Sequence, residues 1–141
     1  MIEVLIALFI TMIGVMALIS MQPQAWLLAG RSDFLGRASQ ILHEEFEINE
    51  VNIMNPRNAN APWGTALPTV LNASINNTRA VTISGAGQRG DVTLTVSTTI
   101  TNIGTNIWRV TIRVTWPGNN TGVSESLIVT RQEFFRFPPG A

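Results

Sequence analysis

The sequence predicts an α+β protein in which a long N-terminal helix packs on an antiparallel β-meander of three or four strands. Two observations predict this fold class. Residues 1–54 are compatible with helix throughout, and Asn55-Pro56 is a sensible stop signal, because the residue before a proline avoids the helical region. After residue 90, apolar and polar residues alternate with a period of two, which is typical of half-buried antiparallel strands.

The chain therefore divides into three parts. Residues 1–22 are predicted to be a hydrophobic helix that spans a membrane or fills the core of an assembly, and residues 23–54 the amphipathic half of the same helix. Residues 55–141 are predicted to be a loop followed by the sheet. A helix over residues 1–54 would be about 80 Å long, which is more than a domain of this size needs for packing. We therefore expect its N-terminal part to lie outside the domain.

The segment from Val4 to Met21 is apolar except for Thr11 and Ser20. As a helix it spans about 27 Å, which is close to the hydrocarbon thickness of a bilayer. Glu3 stands at its start. A carboxylate in such a segment costs about 2–3 kcal/mol at the bilayer centre and less toward the interface, so it is rarely found there without a partner. The segment predicts a membrane-spanning helix whose glutamate needs a nearby positive charge.

The block Ile2–Leu8, IEVLIAL, resembles the N-terminal block of mature type IV pilins and of the pseudopilins of type II secretion. The resemblance implies that a prepilin peptidase removes a basic leader and that the new terminus is N-methylated. It also implies that Glu3 neutralises the terminal amine of a neighbouring subunit in a filament. The family places more residues before its glutamate than Met1 and Ile2, so we expect a trimmed, renumbered or mis-started N-terminus. An ordinary signal anchor with an interfacial glutamate is the alternative interpretation.

The resemblance assigns the first part of the helix to filament assembly, with Glu3 and Met1 as the pairing residues. Gly14 and Pro23 bracket a weak stretch of helix, because glycine adds chain entropy and proline removes a backbone donor. This stretch is similar to the region that unwinds when pilin subunits pack, and a simple proline kink at the membrane boundary fits equally well. The residues expected in the filament core are Val4, Leu5, Ile6, Leu8, Phe9, Ile10, Ile13, Val15 and Leu18.

Residues 23–54 are predicted to form an amphipathic helix, because apolar residues recur at three- and four-residue steps. The predicted apolar stripe contains Trp26, Leu27, Phe34, Leu35, Ala38, Ile41, Leu42, Phe46 and Ile48. The predicted polar face carries Arg31, Asp33, Arg37, Gln40, Glu44, Glu45 and Glu47. The stripe would lie against the sheet and leave the polar face in solvent.

Residues 55–88 are rich in Asn, Ala, Gly, Pro and Thr and predict a loop with a short strand at residues 80–84. Two alternating strands follow, whose shared face predicts the sheet core: Val92, Leu94, Val96, Ile100, Trp108, Val110, Ile112, Val114 and Trp116. Gly104-Thr105 predicts a tight turn between them. Residues 117–122 predict a longer turn, and residues 123–135 a further strand.

The C-terminal half is similar to V-type minor pilins and I-type pseudopilins, which share a strand ending like VTVTW, a turn and a final strand. Here these read VTIRVTW, PGNNTG and SESLIVTRQEFF. Alternating Val and Thr before Trp is also simply favourable sheet chemistry. A main filament subunit with a similar sheet therefore remains the alternative.

Composition and motifs argue against several other functions. Nine basic residues balance nine acidic ones, so no net field attracts nucleic acid. Cysteine is absent, which excludes a disulfide, a thiol nucleophile and a sulfur metal site. His43 and Glu47 lie four residues apart on one helical face, but two ligands are too few for a metal site. SGAGQRG lacks the lysine of a phosphate-binding loop. We expect no catalytic residue, no cofactor and no enzyme activity.

These observations predict a structural subunit of a type IV pilus-like filament. The alternatives are a minor pilin or type II secretion pseudopilin that initiates or tips the filament, and a membrane-anchored binding module. The expected partners are identical or related pilin subunits, the inner membrane before assembly and the pilus assembly machinery. The expected location is the bacterial inner membrane, then an extracellular pilus or a periplasmic pseudopilus, where such filaments serve adhesion, motility or secretion.

Overall fold

The computed structural model describes residues 2–82 and 91–131. It confirms the α+β class, with one long helix and one sheet of four antiparallel strands. The elements are α1 Ile2–Met54, β1 Ser74–Thr82, β2 Thr93–Gly104, β3 Ile107–Trp116 and β4 Asn119–Thr130. The strands lie in the order β1-β2-β3-β4, so each pairs with the next along the chain and the sheet is a meander.

Residue contacts divide the chain into two compact units, Met1–Leu35 and Gly36–Ala141. The first unit is the N-terminal part of α1. The second contains the C-terminal part of α1 and the sheet. The helix ends at Met54, as Asn55-Pro56 predicted, and the side chain of Asn55 accepts a hydrogen bond from the amide of Arg57 at 3.0 Å, which continues the chain as a turn.

In the second unit, α1 buries one face, and the sheet buries the even-numbered residues of β3 and those of β2 up to Asn102. The buried helix residues are Ala38, Leu42, Glu45, Phe46, Asn49 and Ile53. Their three- and four-residue spacing is that of a single helical face. The predicted sheet core is confirmed at Leu94, Val96, Ile100, Trp108, Val110, Ile112, Val114 and Trp116. Val92 lies just before β2 and is half-buried.

The predicted apolar stripe of α1 is wrong at its N-terminal end. Trp26 is 78% exposed and Leu27 66% exposed, and both belong to the first unit. Leu35 and Ile48 are also exposed. The physical reason is that Trp26 and Leu27 continue, after a short polar interval, a run that is apolar on every side of the helix, so periodicity selects no face there.

Glu45 was predicted on the polar face, but it is buried because it forms an ion pair with β1. Arg79 Nη2 donates a hydrogen bond to Glu45 Oε1. Arg79 lies opposite Val96 in the β1–β2 register, on the side of the sheet that faces the helix. A carboxylate withdrawn from water needs such a partner, because an uncompensated buried charge is strongly destabilising. The long-range partner therefore places Glu45 inside.

β1 is longer than predicted and starts earlier, at Ser74 rather than near residue 80. Its SINNTR sequence has the composition of a turn, because Asn and Ser readily form local turns. Pairing with β2 overrides this preference, and Thr99 Oγ1 donates a hydrogen bond to Asn76 Oδ1 across the strands at 2.7 Å. Residues 83–84 of the predicted strand and the SGAGQRG segment lie outside the described residues.

The connection between β3 and β4 is a two-residue turn at Pro117-Gly118, so the predicted longer turn is wrong. β4 begins at Asn119, which pairs with Trp116. Residues 120–122 instead form a bulge within β4. β2 and β3 are joined by a tight turn, as predicted, but it lies at Thr105-Asn106 rather than at Gly104-Thr105, because Gly104 still pairs with Ile107 as the last residue of β2. Of the predicted final strand, the described part ends at Thr130, and residues 132–135 lie outside the described residues.

The bulge in β4 is held by the side chain of Arg113 on β3. Arg113 Nε donates to the carbonyl of Thr121 at 3.0 Å, and Nη2 donates to the carbonyl of Asn120 at 2.6 Å. Gly122 follows with a φ of 63°, and a Cβ atom there would overlap the carbonyl oxygen of Val114. Position 122 therefore requires glycine for both conformation and space.

We expect Gly122→Ala to lower the free energy of unfolding by roughly 3 kcal/mol, because left-handed strain adds to backbone overlap. Gly118→Ala is the matched control. Gly118 also has a positive φ, of 83°, but no atom lies within 4 Å of its Cβ position, so the expected loss is about 1–2 kcal/mol. Urea unfolding of the full chain in detergent measures both. Equal losses would contradict the steric role of the β3 backbone.

Asn49 is a buried polar residue between α1 and the sheet, with 1% of its surface exposed. Its Nδ2 donates to the carbonyl of Glu45 at 2.7 Å. Its Oδ1 has no hydrogen-bond partner among the described residues. A buried acceptor left in this state costs about 1–3 kcal/mol.

We expect Asn49→Leu to raise the free energy of unfolding by about 1 kcal/mol, because an apolar side chain replaces the unpaired acceptor. Asn52→Leu is the control, since Asn52 makes the same kind of bond, to the carbonyl of Ile48 at 2.7 Å, from a half-exposed position. Thermal unfolding followed by circular dichroism compares them. A loss of stability in Asn49→Leu alone would show that the amide is needed.

Candidate functional site

The first candidate site is the apolar segment, residues 4–21 of α1. By length and composition this helix can cross a membrane, and none of its most hydrophobic stretch is buried. The exposed side chains include every residue predicted for the filament core: Val4, Leu5, Ile6, Leu8, Phe9, Ile10, Ile13, Val15 and Leu18. The segment is thus an apolar surface that the described residues leave uncovered.

The two polar side chains of the apolar segment are satisfied within the helix. Thr11 Oγ1 donates to the carbonyl of Ala7 at 2.6 Å, and Ser20 Oγ donates to the carbonyl of Ala17 at 2.8 Å. In a hydrocarbon environment an unpaired hydroxyl would be costly. Because both hydroxyls of residues 4–21 bond to the helix backbone, the segment suits an apolar environment on all sides.

Glu3 lies in the first turn of α1, where a negative charge interacts favourably with the helix dipole. It has no ion-pair or hydrogen-bond partner among the described residues. Met1, the other residue predicted to pair at this end, lies outside the described residues. The first turn therefore carries a carboxylate next to an apolar surface without a counter-charge from the described part of the chain.

Helix α1 is continuous through Gly14 and Pro23. Pro23 has no amide hydrogen, so the carbonyl of Ile19 receives no helical hydrogen bond from it. At Gly14 no atom lies within 4 Å of the Cβ position, so close packing does not explain the glycine. Both residues weaken the helix locally, and unwinding between them in packed subunits stays a prediction.

A second site is the Arg131 cluster, which joins the end of α1 to the sheet. Arg131 Nε donates to the carbonyl of Ile53 at 2.7 Å, and Nη2 donates to the carbonyl of Asn58 at 2.7 Å. The guanidinium lies 5.0 Å from the ring centroid of Trp108. A cation here interacts favourably with the C-terminal end of the helix dipole. Burial lowers the pKa of Arg131, which nevertheless stays protonated at neutral pH.

Two further side chains connect the loop after α1 to this cluster. Trp108 Nε1 and Asn102 Nδ2 both donate to the carbonyl of Pro68, at 3.0 and 2.9 Å. Asn102 Oδ1 accepts a hydrogen bond from the amide of Gly104 at 3.0 Å. The structural roles of Arg131 and Asn102 were not predicted from the sequence, because hydrogen bonds to backbone carbonyls far away in the chain leave no local pattern.

A shallow groove of about 510 Å³ lies beside the Arg131 cluster. It is lined by Thr69, Leu71, Asn102, Gly104, Thr105, Asn106 and Trp108. These residues offer hydroxyl, amide and indole groups but no carboxylate or imidazole. The groove can therefore bind through hydrogen bonds and apolar contact, and its lining has no group suited to acid–base catalysis.

The structure does not bring the candidate metal ligands together into a larger group. Within residues 2–82 and 91–131, no three His, Asp or Glu side chains are arranged to hold a metal ion. His43 and Glu47 are both exposed on α1. This pair therefore gains no third ligand from the described part of the sheet or loops.

Comparison with known proteins does not assign the chain to a family. No protein-family model matches the chain, and no curated protein or solved structure matches it. The apolar segment, Glu3 and the helix-on-sheet fold are therefore the features that bear on function.

We expect Arg131→Gln to lower the free energy of unfolding by about 2–3 kcal/mol, because two charge-assisted hydrogen bonds and the contact with Trp108 are lost. Arg109→Gln is the control, since Arg109 is exposed on the opposite side of β3. Urea unfolding gives the energies, and near-ultraviolet circular dichroism reports the Trp108 environment. Similar small losses in both variants would contradict a linking role for Arg131.

Proposed function

We propose that this chain is a structural subunit of a type IV pilus-like filament. One observation carries the proposal: an exposed apolar segment starts with Glu3, which has no partner among the described residues, and it precedes a compact α+β unit along the chain. Each large apolar side chain gains about 1.5–3 kcal/mol when it leaves water, so this surface needs a cover. A bilayer covers it before assembly, and the helices of neighbouring copies cover it in the filament.

Glu3 supplies the specificity of this assembly. An ionised carboxylate in an apolar core costs several kcal/mol unless an opposite charge is close. The terminal amine of a neighbouring subunit is such a charge, and the pairing sets the axial register between subunits. The resemblance of Ile2–Leu8 to the first block of pilins and pseudopilins supports this role.

The subunit would act by association rather than by chemistry. Before assembly the subunit resides in the inner membrane. The assembly machinery then extracts it, and its apolar helix packs against the helices of subunits already in the filament. Gly14 and Pro23 lower the resistance of the helix to local unwinding during this packing. No catalytic residue and no cofactor enter the mechanism.

An alternative to a main filament subunit is a minor pilin or a type II secretion pseudopilin that initiates or tips the filament. The similarity of VTIRVTW and the residues after it to those subgroups supports it. Mass spectrometry of sheared filaments separates the roles. A main subunit forms the bulk of the material, whereas an initiating subunit is present in traces beside another pilin.

A membrane-anchored binding module is the second candidate, and the groove beside Trp108 favours it. Its polar and apolar lining suits a small ligand or a peptide side chain. This candidate requires only that the helix stays in the bilayer. It therefore predicts that the protein is a monomer in the membrane and that its function does not depend on the charge of Glu3.

We expect Glu3→Gln to reduce incorporation into filaments by about tenfold or more, because the amine of the neighbouring subunit loses its counter-charge and 1.4 kcal/mol already corresponds to tenfold. The amount in the membrane and the unfolding of the α+β unit should not change. Immunoblots of sheared and membrane fractions measure this, and Glu44→Gln, an exposed carboxylate on α1, is the control. Normal incorporation of Glu3→Gln would contradict the proposal.

A further inference from the structure

Trp26, Leu27 and Leu28 form an exposed apolar collar on α1, within the first unit. Their side chains are 78%, 66% and 70% exposed. Consecutive helical residues are about 100° apart, so three of them cover more than half of the helix circumference. The collar therefore suits surroundings that are similar on several sides of the helix, whereas contact with one protein surface would require residues at three- and four-residue steps.

The position of the collar along α1 matches the far side of a bilayer. Trp26 lies about 34 Å from Glu3 along the helix axis, at about 1.5 Å per residue. The hydrocarbon core of a bilayer is about 30 Å thick, and the headgroup regions extend this to about 40–45 Å. With Glu3 at one interface, the indole lies in the headgroup region of the opposite leaflet.

The polarity of the residues around the collar also fits a position at the far side of the bilayer. Gln22 and Gln24 precede it, at the expected edge of the hydrocarbon. Arg31 follows about 8 Å beyond Trp26, where its long side chain can reach lipid phosphates. Tryptophan is enriched in such a layer because its ring is apolar and its indole N–H can donate a hydrogen bond.

We infer that the collar is an interfacial anchor that binds the phospholipid headgroup region of the leaflet opposite Glu3. It sets the depth of α1 in the bilayer and so holds Glu3 at the other interface. The inference rests on the membrane stage of the proposed function and is independent of the filament. The exposed collar thereby has a role in the membrane.

Depth-dependent quenching of tryptophan fluorescence tests the anchor. The full chain is reconstituted into vesicles of phosphatidylcholine and phosphatidylglycerol, brominated either near the acyl carbonyls or near the chain ends. We expect stronger quenching by the bromines near the carbonyls, and the loss of most of this quenching in Trp26→Phe. Trp63→Phe is the control and should keep it. Trp108 and Trp116 are buried, so they contribute a constant background.

A second variant, in which the tryptophan lies about one helical turn nearer to the N-terminus, calibrates the depth of residue 26 in the bilayer. Gln22→Trp in the Trp26→Phe chain lies about 6 Å nearer to the bilayer centre. We expect it to be quenched more by bromines near the chain ends than Trp26 is. The same depth for both positions would show that the helix is not inserted along its axis and would overturn the inference.

The remaining outcomes separate the inference from the proposed function. Stronger quenching of the full chain by chain-end bromines, or unchanged quenching in Trp26→Phe, would overturn the anchor and leave the membrane stage intact. Failure of the full chain to float with the vesicles would overturn both. The quenching experiment does not measure filament assembly, so the test of the anchor does not depend on whether filaments form.

Discussion

The apolar surface of α1 must be covered, and the rest of the structure depends on this constraint. A helix satisfies its own backbone hydrogen bonds, so one helix can pass from hydrocarbon into a water-exposed domain without changing its backbone. From Gly36 to Met54 the sheet covers one face of α1. Over residues 4–21 none of the described residues covers it. The two parts of the helix differ in what surrounds them.

The second unit is stabilised without a disulfide, because the chain has no cysteine. Arginine side chains connect its loops instead. Arg113 and Arg131 each donate to two backbone carbonyls, one pair in the β4 bulge and the other at and after the end of α1. A guanidinium presents several donors in a fixed plane, which the single ammonium of lysine cannot do. This geometry gives a physical reason for arginine at these two positions in a chain without lysine.

Polar side chains also connect elements within the second unit. Glu45 is tied to β1 through Arg79, and Asn102 ties the loop after α1 to β2. The Oδ1 atom of Asn49 is buried and has no hydrogen-bond partner in the part of the chain that the structure describes. Such groups add less stability than apolar packing, because their desolvation offsets much of the interaction. Among these contacts, the Glu45–Arg79 pair joins α1 to the sheet.

The sequence alone determined the features that depend on local pattern. The helix and its end at Met54 follow from composition and Pro56, and the inward faces of β2 and β3 follow from strict alternation. The length of the apolar segment and the position of Glu3 at its start can also be determined from the sequence alone. Glu3 as a pairing residue, by contrast, rests on resemblance and has no contact in the described residues that tests it.

Only the tertiary structure decided the features that depend on distant partners. It placed Glu45 inside beside Arg79, extended β1 back to Ser74 through pairing with β2, and put Arg131 at the end of α1. It also showed that Trp26 is exposed and does not belong to the buried face of α1. The physical reason is that periodicity shows which residues avoid water, whereas the groups that cover or neutralise them come from parts of the chain far away in sequence.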